Sequence, residues 1–157
     1  IIKINIKNKK NLGSDRIANA IGAKKLKNCL IIDFGTATTF DVIKNGIYEG
    51  GVIAPGVNLS IKNLSQATAL LPLINLKRHQ KSYGKNTIEA LNAGFVWGYE
   101  GLINNIIDKI ISKSKIKYKI LLTGGYANFF NKMIKKKLVI DKDITIKGIA
   151  NAYKELV

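Results

Sequence analysis

Apolar residues along this chain fall into two alternating kinds of run, which together predict an α/β fold. Short apolar runs with strand character span residues 30–34, 38–43, 47–53, 118–122 and 138–140. Between them, apolar residues recur at helical intervals over residues 14–23, 57–68, 87–112, about 128–136, and 144–156. This alternation predicts a mixed sheet with flanking helices.

An Asn-Gly dipeptide, Asn45-Gly46, separates two of the strand-like runs. Such a dipeptide favours the two-residue turn of a β-hairpin, because both positions tolerate a positive φ. We therefore expect the sheet to begin as an antiparallel meander. Pro55-Gly56 ends the last strand of that meander, and a loop over residues 71–86 precedes the longest helical pattern.

The longest predicted helix contains three glycines at about one-turn spacing, Gly94, Gly98 and Gly101. Each costs about 1 kcal/mol relative to alanine in an exposed helix. Their presence predicts that the helix backbone packs closely against another surface. The neighbouring aromatic residues Trp97 and Tyr99 are expected to be packing residues, and His79 is expected to be an exposed loop histidine.

Composition narrows the class of protein. The chain has 157 residues, of which 46% are hydrophobic, enough for one well-buried domain. No apolar run approaches the roughly 20 residues of a membrane-spanning helix, and the N-terminus lacks the apolar core of a signal peptide, so we expect a cytoplasmic protein with no membrane contact. The single cysteine, Cys29, opens an apolar strand and is expected to be buried and inert.

The charge is strongly basic, with 26 basic and 10 acidic residues for a formal net charge of +16. The lysines are scattered among Asn and Ile, Arg16 and Arg78 are the only arginines, and the basic clusters contain only isolated aromatic residues such as Tyr118, too few for a stacking platform. These features favour a solvated basic surface that attracts anionic ligands over a nucleic-acid interface. A basic nucleic-acid-binding domain is the alternative.

The stretch CLIIDFGTATTFDV, residues 29–42, places small polar residues where an apolar strand ends. A turn through Gly35, Thr36 and Thr38 would expose backbone N–H groups and hydroxyls, which suit phosphate oxygens. Asp33, at the strand end, is placed to hold a cation or orient a water molecule. The alternative is a threonine-rich hairpin that merely satisfies its own turn.

Two further stretches are candidates for ligand contact. The sequence Gly13-Ser14-Asp15-Arg16 places a carboxylate and a guanidinium at a helix start, where the arginine could clamp a ligand carboxylate in bidentate fashion. The alternative is a helix cap with an exposed ion pair. The sequence TGG at residues 123–125 would let a flat ligand such as adenine lie against the backbone, and alone it is only a turn.

Five motifs in order give the chain a resemblance to a known family. These motifs are GSDR (13–16), DFGTATTFD (33–41), GGVIAPG (50–56), GKNT (84–87) and TGG (123–125). In them the chain resembles the type III pantothenate kinases, which are members of the acetate and sugar kinase, heat-shock ATPase and actin superfamily. The resemblance covers residues 12 to about 128. It implies a ribonuclease H-like lobe and ATP-dependent phosphorylation of pantothenate to 4'-phosphopantothenate, the first step of coenzyme A biosynthesis.

The resemblance implies roles for the residues that would contact pantothenate. Asp15 would be the general base that accepts the proton of the attacking hydroxyl. Gly13, Ser14 and Arg16 would hold pantothenate alongside it. Thr87 would contact the pantothenate of the neighbouring subunit, because sites of this family are completed across a homodimer.

The resemblance also implies a nucleotide and cation site. Asp33 would bind a monovalent cation, K⁺ or NH₄⁺. The ATP phosphates would be contacted by Gly35, Thr36 and Thr38, and the adenosine would be bordered by Gly124 and Gly125. Mg²⁺ would accompany the ATP.

Two departures from the family pattern qualify this interpretation. Nothing in the chain matches the family's N-terminal Asp-x-Gly-Asn-Thr loop, whose aspartate organises magnesium, so we expect a C-terminal lobe with residues 1–12 as a connecting segment. Alone, it is expected to turn over ATP poorly or not at all. Ile6 stands where the family often has a tyrosine, which removes a hydrogen bond of roughly 1 kcal/mol. A non-catalytic relative that binds nucleotide or a partner protein, such as a transcriptional regulator, is a further alternative.

Overall fold

A computed structural model describes residues 2–78 and 82–157 of the chain. At its centre lies a six-stranded mixed sheet in the order β1-β4-β3-β2-β5-β6. Its strands are β1 (Lys3–Ile4), β2 (Cys29–Phe34), β3 (Ala37–Lys44), β4 (Ile47–Pro55), β5 (Lys119–Gly124) and β6 (Leu138–Ile140). The meander β2-β3-β4 is antiparallel, whereas β1 pairs in parallel with β4, β5 with β2, and β6 with β5.

Helices flank the sheet, as the alternating pattern predicts. They are α1 (Ser14–Gly22), α2 (Val57–Ala67), α3 (Thr87–Ser112), α4 (Ala127–Phe130) and α5 (Ile144–Leu156). The predicted hairpin between β3 and β4 is confirmed, with Asn45 and Gly46 at φ values of 52° and 75°. Both central residues therefore adopt the left-handed conformation that this turn requires.

Alternate residues of β2 lie on opposite faces of the sheet, and each face has its own core. Leu30 and Ile32 pack on the face covered by α2, α3 and α4. Cys29 and Ile31 pack on the face covered by α1 and α5. Cys29 is fully buried, as predicted, and burial raises the pKa of its thiol to about 12, so the thiol is inert near neutral pH.

The same alternation brings two carboxylates to one face. Asp33 follows Ile31 by two residues on β2, and Asp41 of β3 lies directly opposite Ile31 in the antiparallel register. Both aspartates therefore lie on the side of the sheet that α1 covers. The candidate site therefore lies on this face of the sheet.

The predicted helix over residues 128–136 is wrong in its extent, because α4 ends at Phe130. The side chain of Asn104, on α3, donates to the carbonyl of Met133 at 2.9 Å and accepts from the backbone N–H of Lys135 at 3.0 Å. These bonds hold the backbone in a turn where a helix would have continued. The helical spacing in the sequence does not reveal a partner on another element.

The described part of the predicted connecting segment, residues 2–12, contributes a strand to the sheet edge. Lys3 and Ile4 pair with Ile47 and Tyr48 of β4. A single 3-10 turn, Lys9–Asn11, follows before α1. The alternation of isoleucine with lysine and asparagine in IIKINIK is a strand pattern that the prediction missed.

Close packing of the α3 glycines does not occur within the described chain. A Cβ built at Gly94, Gly98 or Gly101 would have nothing within 4 Å. Tyr99 is buried, as expected of a packing residue, whereas Trp97 is 44% exposed. The prediction for His79 lies outside the described residues.

None of the helices in residues 2–78 and 82–157 combines the length and the hydropathy that a membrane crossing needs.

Candidate active site

The first turn of α1 presents the carboxylate of Asp15 to solvent. Gly13 precedes the helix as its N-cap, and Ser14 and Asp15 are exposed. The carboxylate folds back over the cap, since a Cβ built at Gly13 would lie 2.5 Å from Oδ1 of Asp15. An exposed carboxylate at this position is accessible to a substrate hydroxyl and chemically able to accept its proton.

Arg16 faces inward and binds a buried aspartate. Its Nε donates to Oδ1 of Asp41 at 2.7 Å, and Nη2 lies 2.7 Å from the same oxygen. The hydroxyl of Tyr48 also donates to Oδ1 of Asp41, at 2.7 Å. Two guanidinium nitrogens that the sequence predicted to clamp a ligand are therefore bonded to one oxygen of Asp41, and only Nη1 of Arg16 has no partner among the described residues.

Asp41 is fully buried, so its side of the ion pair with Arg16 is shielded from solvent. Burial raises the pKa of the Asp41 carboxyl, and the hydrogen bonds from Arg16 and Tyr48 oppose that rise. Its second oxygen, Oδ2, has no hydrogen-bond partner among the described residues. Burial and the neighbouring Asp41 charge raise the pKa of Tyr48 above its ordinary value, so its hydroxyl remains protonated and donates.

The second glycine of the GGVIAPG motif, Gly51, makes room for Arg16. Gly51 is the register partner of Asp41 on β4. A Cβ at Gly51 would lie 2.6 Å from Nη2 of Arg16 and would also overlap the carbonyl oxygen of Phe40. A side chain at this position would therefore displace the guanidinium from Asp41.

Asp33 lies beside this cluster at the end of β2. Its Oδ2 accepts a hydrogen bond from Nδ2 of Asn19 at 2.8 Å, and its Oδ1 accepts none from the described residues. Burial raises the pKa of the Asp33 carboxyl, the bond from Asn19 opposes the rise, and the charge of Asp15 adds to it. Asn19 lies one helical turn after Asp15 on α1, so its bond to Asp33 links the end of β2 to the helix that begins with the candidate base.

The turn after Asp33 borders a cleft of about 500 Å³. Gly35 and Thr36 are exposed there, and the cleft is further lined by Phe34, Asn58, Leu59, Lys62, Gly125 and Tyr126. The N-terminus of α2 adjoins the turn, since a Cβ at Gly56 would overlap the carbonyl of Thr36. Helix N-termini and lysine side chains both favour anions, so the cleft suits phosphate groups.

Two hydrogen-bond donors of the turn are already bonded to backbone carbonyls. The N–H of Gly35 bonds to the carbonyl of Ala37 at 3.1 Å. Thr38 is fully buried, and its hydroxyl donates to the carbonyl of Pro55 at 3.1 Å. The interpretation of the turn as self-satisfied therefore applies to these two residues, and Thr36 carries the exposed hydroxyl.

The TGG turn separates a structural glycine from one that lines the cleft. Gly124 has a φ of 84°, and a Cβ there would lie 2.6 Å from the backbone N of Phe34. Gly125 donates its N–H to the carbonyl of Phe34 at 3.1 Å and lines the cleft with Gly35. Gly124 thus holds β5 close to β2, and Gly125 borders the ligand space.

Thr87 belongs to a different surface. It begins α3 and lines an apolar cleft of about 390 Å³ whose walls also include Leu64, Leu91, Gly94 and Phe95. Within one chain, the structure does not bring Thr87 into the group formed by Asp15, Arg16 and Asp33. No group of three or more His, Cys, Asp or Glu side chains in residues 2–78 and 82–157 is arranged to hold a metal ion.

Comparison with known proteins identifies the family. A sequence model described as type III pantothenate kinase matches residues 1–109. A type III pantothenate kinase of Pelagibacter ubique is 52% identical over 97% of this chain and 61% of its own length. Another, of Acidiphilium cryptum, is 42% identical over 93% of this chain and 56% of its own length. The chain belongs to the type III pantothenate kinase family.

Solved structures agree on the fold. A protein of Campylobacter jejuni described as a Baf family transcriptional activator superposes with a TM-score of 0.69 and 26% identity, covering 97% of this chain and 68% of its own. The ethanolamine utilization protein EutJ of Carboxydothermus hydrogenoformans gives 0.56 and 17%, covering 87% of this chain and 53% of its own. A sugar kinase of Cytophaga hutchinsonii gives 0.50 and 16%, covering 89% and 64%. The predicted α/β class, a mixed sheet with flanking helices, is confirmed, and the fold is similar to that of the sugar kinase.

The chain spans about three fifths of the length of these two pantothenate kinase relatives. Within that span, Asp15 and Arg16 lie in the first turn of α1, and Asn19 of the same helix bonds to Asp33, whereas Thr87 begins α3 and lines a different cleft. Sequence reasoning did not assign roles to Asn19, Asp41 or Lys62. Asp41 ends the DFGTATTFD motif and Asn19 lies one helical turn after Asp15, so the sequence offered a reason to consider both residues. No pattern in the sequence distinguishes Lys62 from the other lysines.

Proposed function

We propose that this chain carries the general base and a phosphate-binding turn of an enzyme that phosphorylates pantothenate with ATP, giving 4'-phosphopantothenate in the first step of coenzyme A biosynthesis. The observation that carries the proposal is the bond from Asn19, one helical turn after the exposed Asp15 on α1, to Asp33, at the end of the strand that leads into the exposed Gly35-Thr36 turn. Family membership supports the same reaction.

Asp15 is the proposed catalytic residue. As the γ-phosphoryl group of ATP reaches the terminal hydroxyl of pantothenate, the new P–O bond forms, the bond to ADP breaks, and the hydroxyl proton passes to the Asp15 carboxylate. Exposure of Asp15 at the start of α1 supports this role. Gly13 and Ser14, beside it, are proposed to contact pantothenate, together with Nη1 of Arg16.

The cleft beside the turn is the proposed ATP site. Thr36 and the N-terminus of α2 would hold phosphate oxygens, with Lys62 contributing its positive charge, and Gly35, which has no side chain, would let the phosphates approach the turn closely. Thr38 would act indirectly, by fixing the turn against Pro55. Gly125 would border the adenosine, and Gly124 would hold Gly125 in position.

Asp33 fits the proposed monovalent cation, K⁺ or NH₄⁺, because Oδ1 is an oxygen donor with no hydrogen bond from the described residues. Mg²⁺ is proposed to enter with the ATP phosphates, where it would neutralise their charge. The described residues contain no carboxylate cluster for it.

A homodimer is proposed through the exposed glycine face of α3. Nothing in the described chain would lie within 4 Å of a Cβ at Gly94, Gly98 or Gly101, and Trp97 is 44% exposed beside them. Pairing of two such faces would explain both features and would place Thr87, on the same helix, near the partner's pantothenate. We propose a cytoplasmic enzyme, because its substrate ATP is supplied there.

The chain is proposed to act as the C-terminal lobe of a two-lobed kinase. Since it spans 61% of the Pelagibacter relative, the isolated chain is expected to turn over ATP poorly. The test of function therefore uses the product of the full reading frame that contains this chain. ADP release is measured with pantothenate, Mg²⁺ and K⁺, then with each omitted in turn.

The proposal predicts ADP release that requires pantothenate and is stimulated when K⁺ replaces Na⁺. Folded protein that releases no ADP, or releases it at the same rate without pantothenate, would contradict it. The second outcome indicates an ATPase with another acceptor, and the first indicates a binding-only relative.

A further inference from the structure

A hydrogen-bonded chain runs from α5 through α1 to the end of β2. The hydroxyl of Thr145 donates to Oδ1 of Asn19 at 2.6 Å. Nδ2 of Asn19 donates in turn to Oδ2 of Asp33 at 2.8 Å. Asn19 is fully buried, so its amide exchanges no hydrogen bonds with solvent.

Asp33 and Thr145 together fix the direction of the Asn19 amide. An amide oxygen accepts hydrogen bonds, whereas the amide nitrogen only donates them. The ionised Asp33 carboxylate only accepts, so it requires Nδ2 on its side, and the Thr145 hydroxyl donates to Oδ1 on the α5 side and holds the amide in that orientation. A flipped amide would oppose its oxygen to the Asp33 carboxylate, which is unfavourable in a buried setting.

Two glycines let α5 approach α1 closely enough for this contact. A Cβ at Gly148 of α5 would overlap the carbonyl of Ala18, and a Cβ at Gly22 of α1 would overlap the carbonyl of Ile144. Backbones in direct contact leave Thr145 within reach of Asn19. The first turn of α5 is thereby linked to the site through a single buried side chain.

The chain of hydrogen bonds ends at Asp33, so the Asp33 carboxylate is the group that it orients. Its Oδ2 is held by Asn19, and its Oδ1 is directed towards the turns, 2.7 Å from a Cβ built at Gly124 and 3.8 Å from one built at Gly35. We propose that Asn19, oriented by Thr145, is a positioning residue that holds the Asp33 carboxylate with Oδ1 facing the phosphate-binding turn. The kinetic consequence rests on the function proposed above, whereas the orientation does not.

Thr145→Val tests the orientation, because it removes the hydroxyl at nearly constant volume. Thr145→Ser, which keeps the hydroxyl, is the matched control, and Thr145→Ala is used if valine disturbs the helix crossing. The product of the full reading frame is labelled with ¹⁵N-asparagine and ¹⁵N-glycine for NMR. In the valine variant, we expect the side-chain amide signal of Asn19 and the backbone signals of Gly35 and Gly124 to shift, and in the serine variant to stay close to wild type.

The same variants are then assayed for phosphoryl transfer. Loss of one hydrogen bond of about 1 kcal/mol corresponds to about a fivefold change. We expect Thr145→Val to raise the half-saturating K⁺ concentration and the KM for ATP about fivefold, to change the KM for pantothenate less than about twofold, and Thr145→Ser to restore wild-type values.

The possible outcomes test the positioning role of Asn19 and the proposed function separately. Unchanged Asn19, Gly35 and Gly124 signals in the valine and alanine variants would overturn the positioning role. So would equal losses for ATP, K⁺ and pantothenate, because a purely structural role predicts a uniform effect. If the wild-type protein shows no transfer at all, the proposed function fails, and the NMR comparison still decides the orientation.

Discussion

Nε of Arg16 donates to Oδ1 of Asp41 at 2.7 Å, beneath the helix turn that exposes Asp15. The residue that the sequence predicted as a substrate clamp thus anchors α1 to the middle of the sheet. Since Asp15 and Arg16 are adjacent, this anchor also sets where the proposed base is presented. The geometry of the site therefore depends on a carboxylate that does not face the substrate.

Replacing the buried partner of Arg16 should be costly. Asp41→Ala leaves the guanidinium, whose side chain is 13% exposed, without its counter-charge. Breaking a buried ion pair in this way costs about 3 to 5 kcal/mol. We expect a loss of that size in the free energy of unfolding, measured by urea denaturation.

The matched control for this measurement is Asp108→Ala. Asp108 pairs with Lys136 at 3.3 Å, and both side chains are about half exposed, at 59% and 48%. Exposed pairs contribute about 0 to 1 kcal/mol. An Asp41 variant that loses no more stability than the Asp108 variant would show that the buried pair does not anchor the helix.

Asp33→Asn should stabilise the protein at neutral pH. Burial and the charge of Asp15 raise the pKa of the Asp33 carboxyl, so the folded state binds its proton more tightly than the unfolded state. The stability contributed by this group is present below its ordinary pKa of 3.8 and is lost as pH rises through the raised pKa. Asparagine removes that loss.

We expect a gain of about 0.5 to 1 kcal/mol at pH 7, the usual size for relieving an unfavourable functional group. The gain should shrink as the pH is lowered towards 3.8. Urea denaturation of both proteins across this pH range measures it. A variant that is less stable at pH 7, or whose advantage grows on acidification, would contradict the assigned sign.

The two threonines of the turn should behave differently. Thr36→Val removes the exposed hydroxyl beside the cleft, so we expect the KM for ATP to rise about fivefold, with little change in stability. Thr38→Val removes a buried donor to Pro55, whose carbonyl keeps the bond from Tyr99, so we expect a loss of about 0.5 to 1.5 kcal/mol in stability. Steady-state kinetics and urea denaturation of the pair separate the two roles, and the reverse assignment would disprove them.

Lys62→Gln should weaken ATP binding selectively. Lys62 lines the cleft beside Thr36, and a hydrogen bond to a charged group contributes about 1.5 to 3 kcal/mol, or at least about a tenfold change in affinity. Lys117→Gln is the control, because Lys117 lines a different cleft with Tyr118 and Lys137. Equal weakening of ATP binding by both substitutions, measured by calorimetry, would indicate only a general effect of the basic surface.

Apolar periodicity predicted most helices and strands, but it did not predict which side chains form hydrogen bonds between different elements. The bounds of α3, β6 and α5 follow directly from apolar spacing, whereas the end of α4 is decided by Asn104 on another helix. The contact of Arg16 with Asp41 joins residues 25 positions apart, and that of Asn19 with Asp33 joins residues 14 apart. Helical or strand periodicity carries no information about such pairs, so the motifs were recognisable while the orientation of Arg16 was not.

The most direct test of the proposed mechanism is the turnover of Asp15→Asn in the product of the full reading frame. The substitution keeps the size of the side chain and removes the proton acceptor, with Asp143→Asn, at an exposed aspartate before α5, as the control. Because general-base catalysis contributes about 10²- to 10⁴-fold, we expect kcat to fall at least about 100-fold while the Kd for ATP stays within about twofold. Near-normal turnover by Asp15→Asn would contradict the assignment of Asp15 as the base.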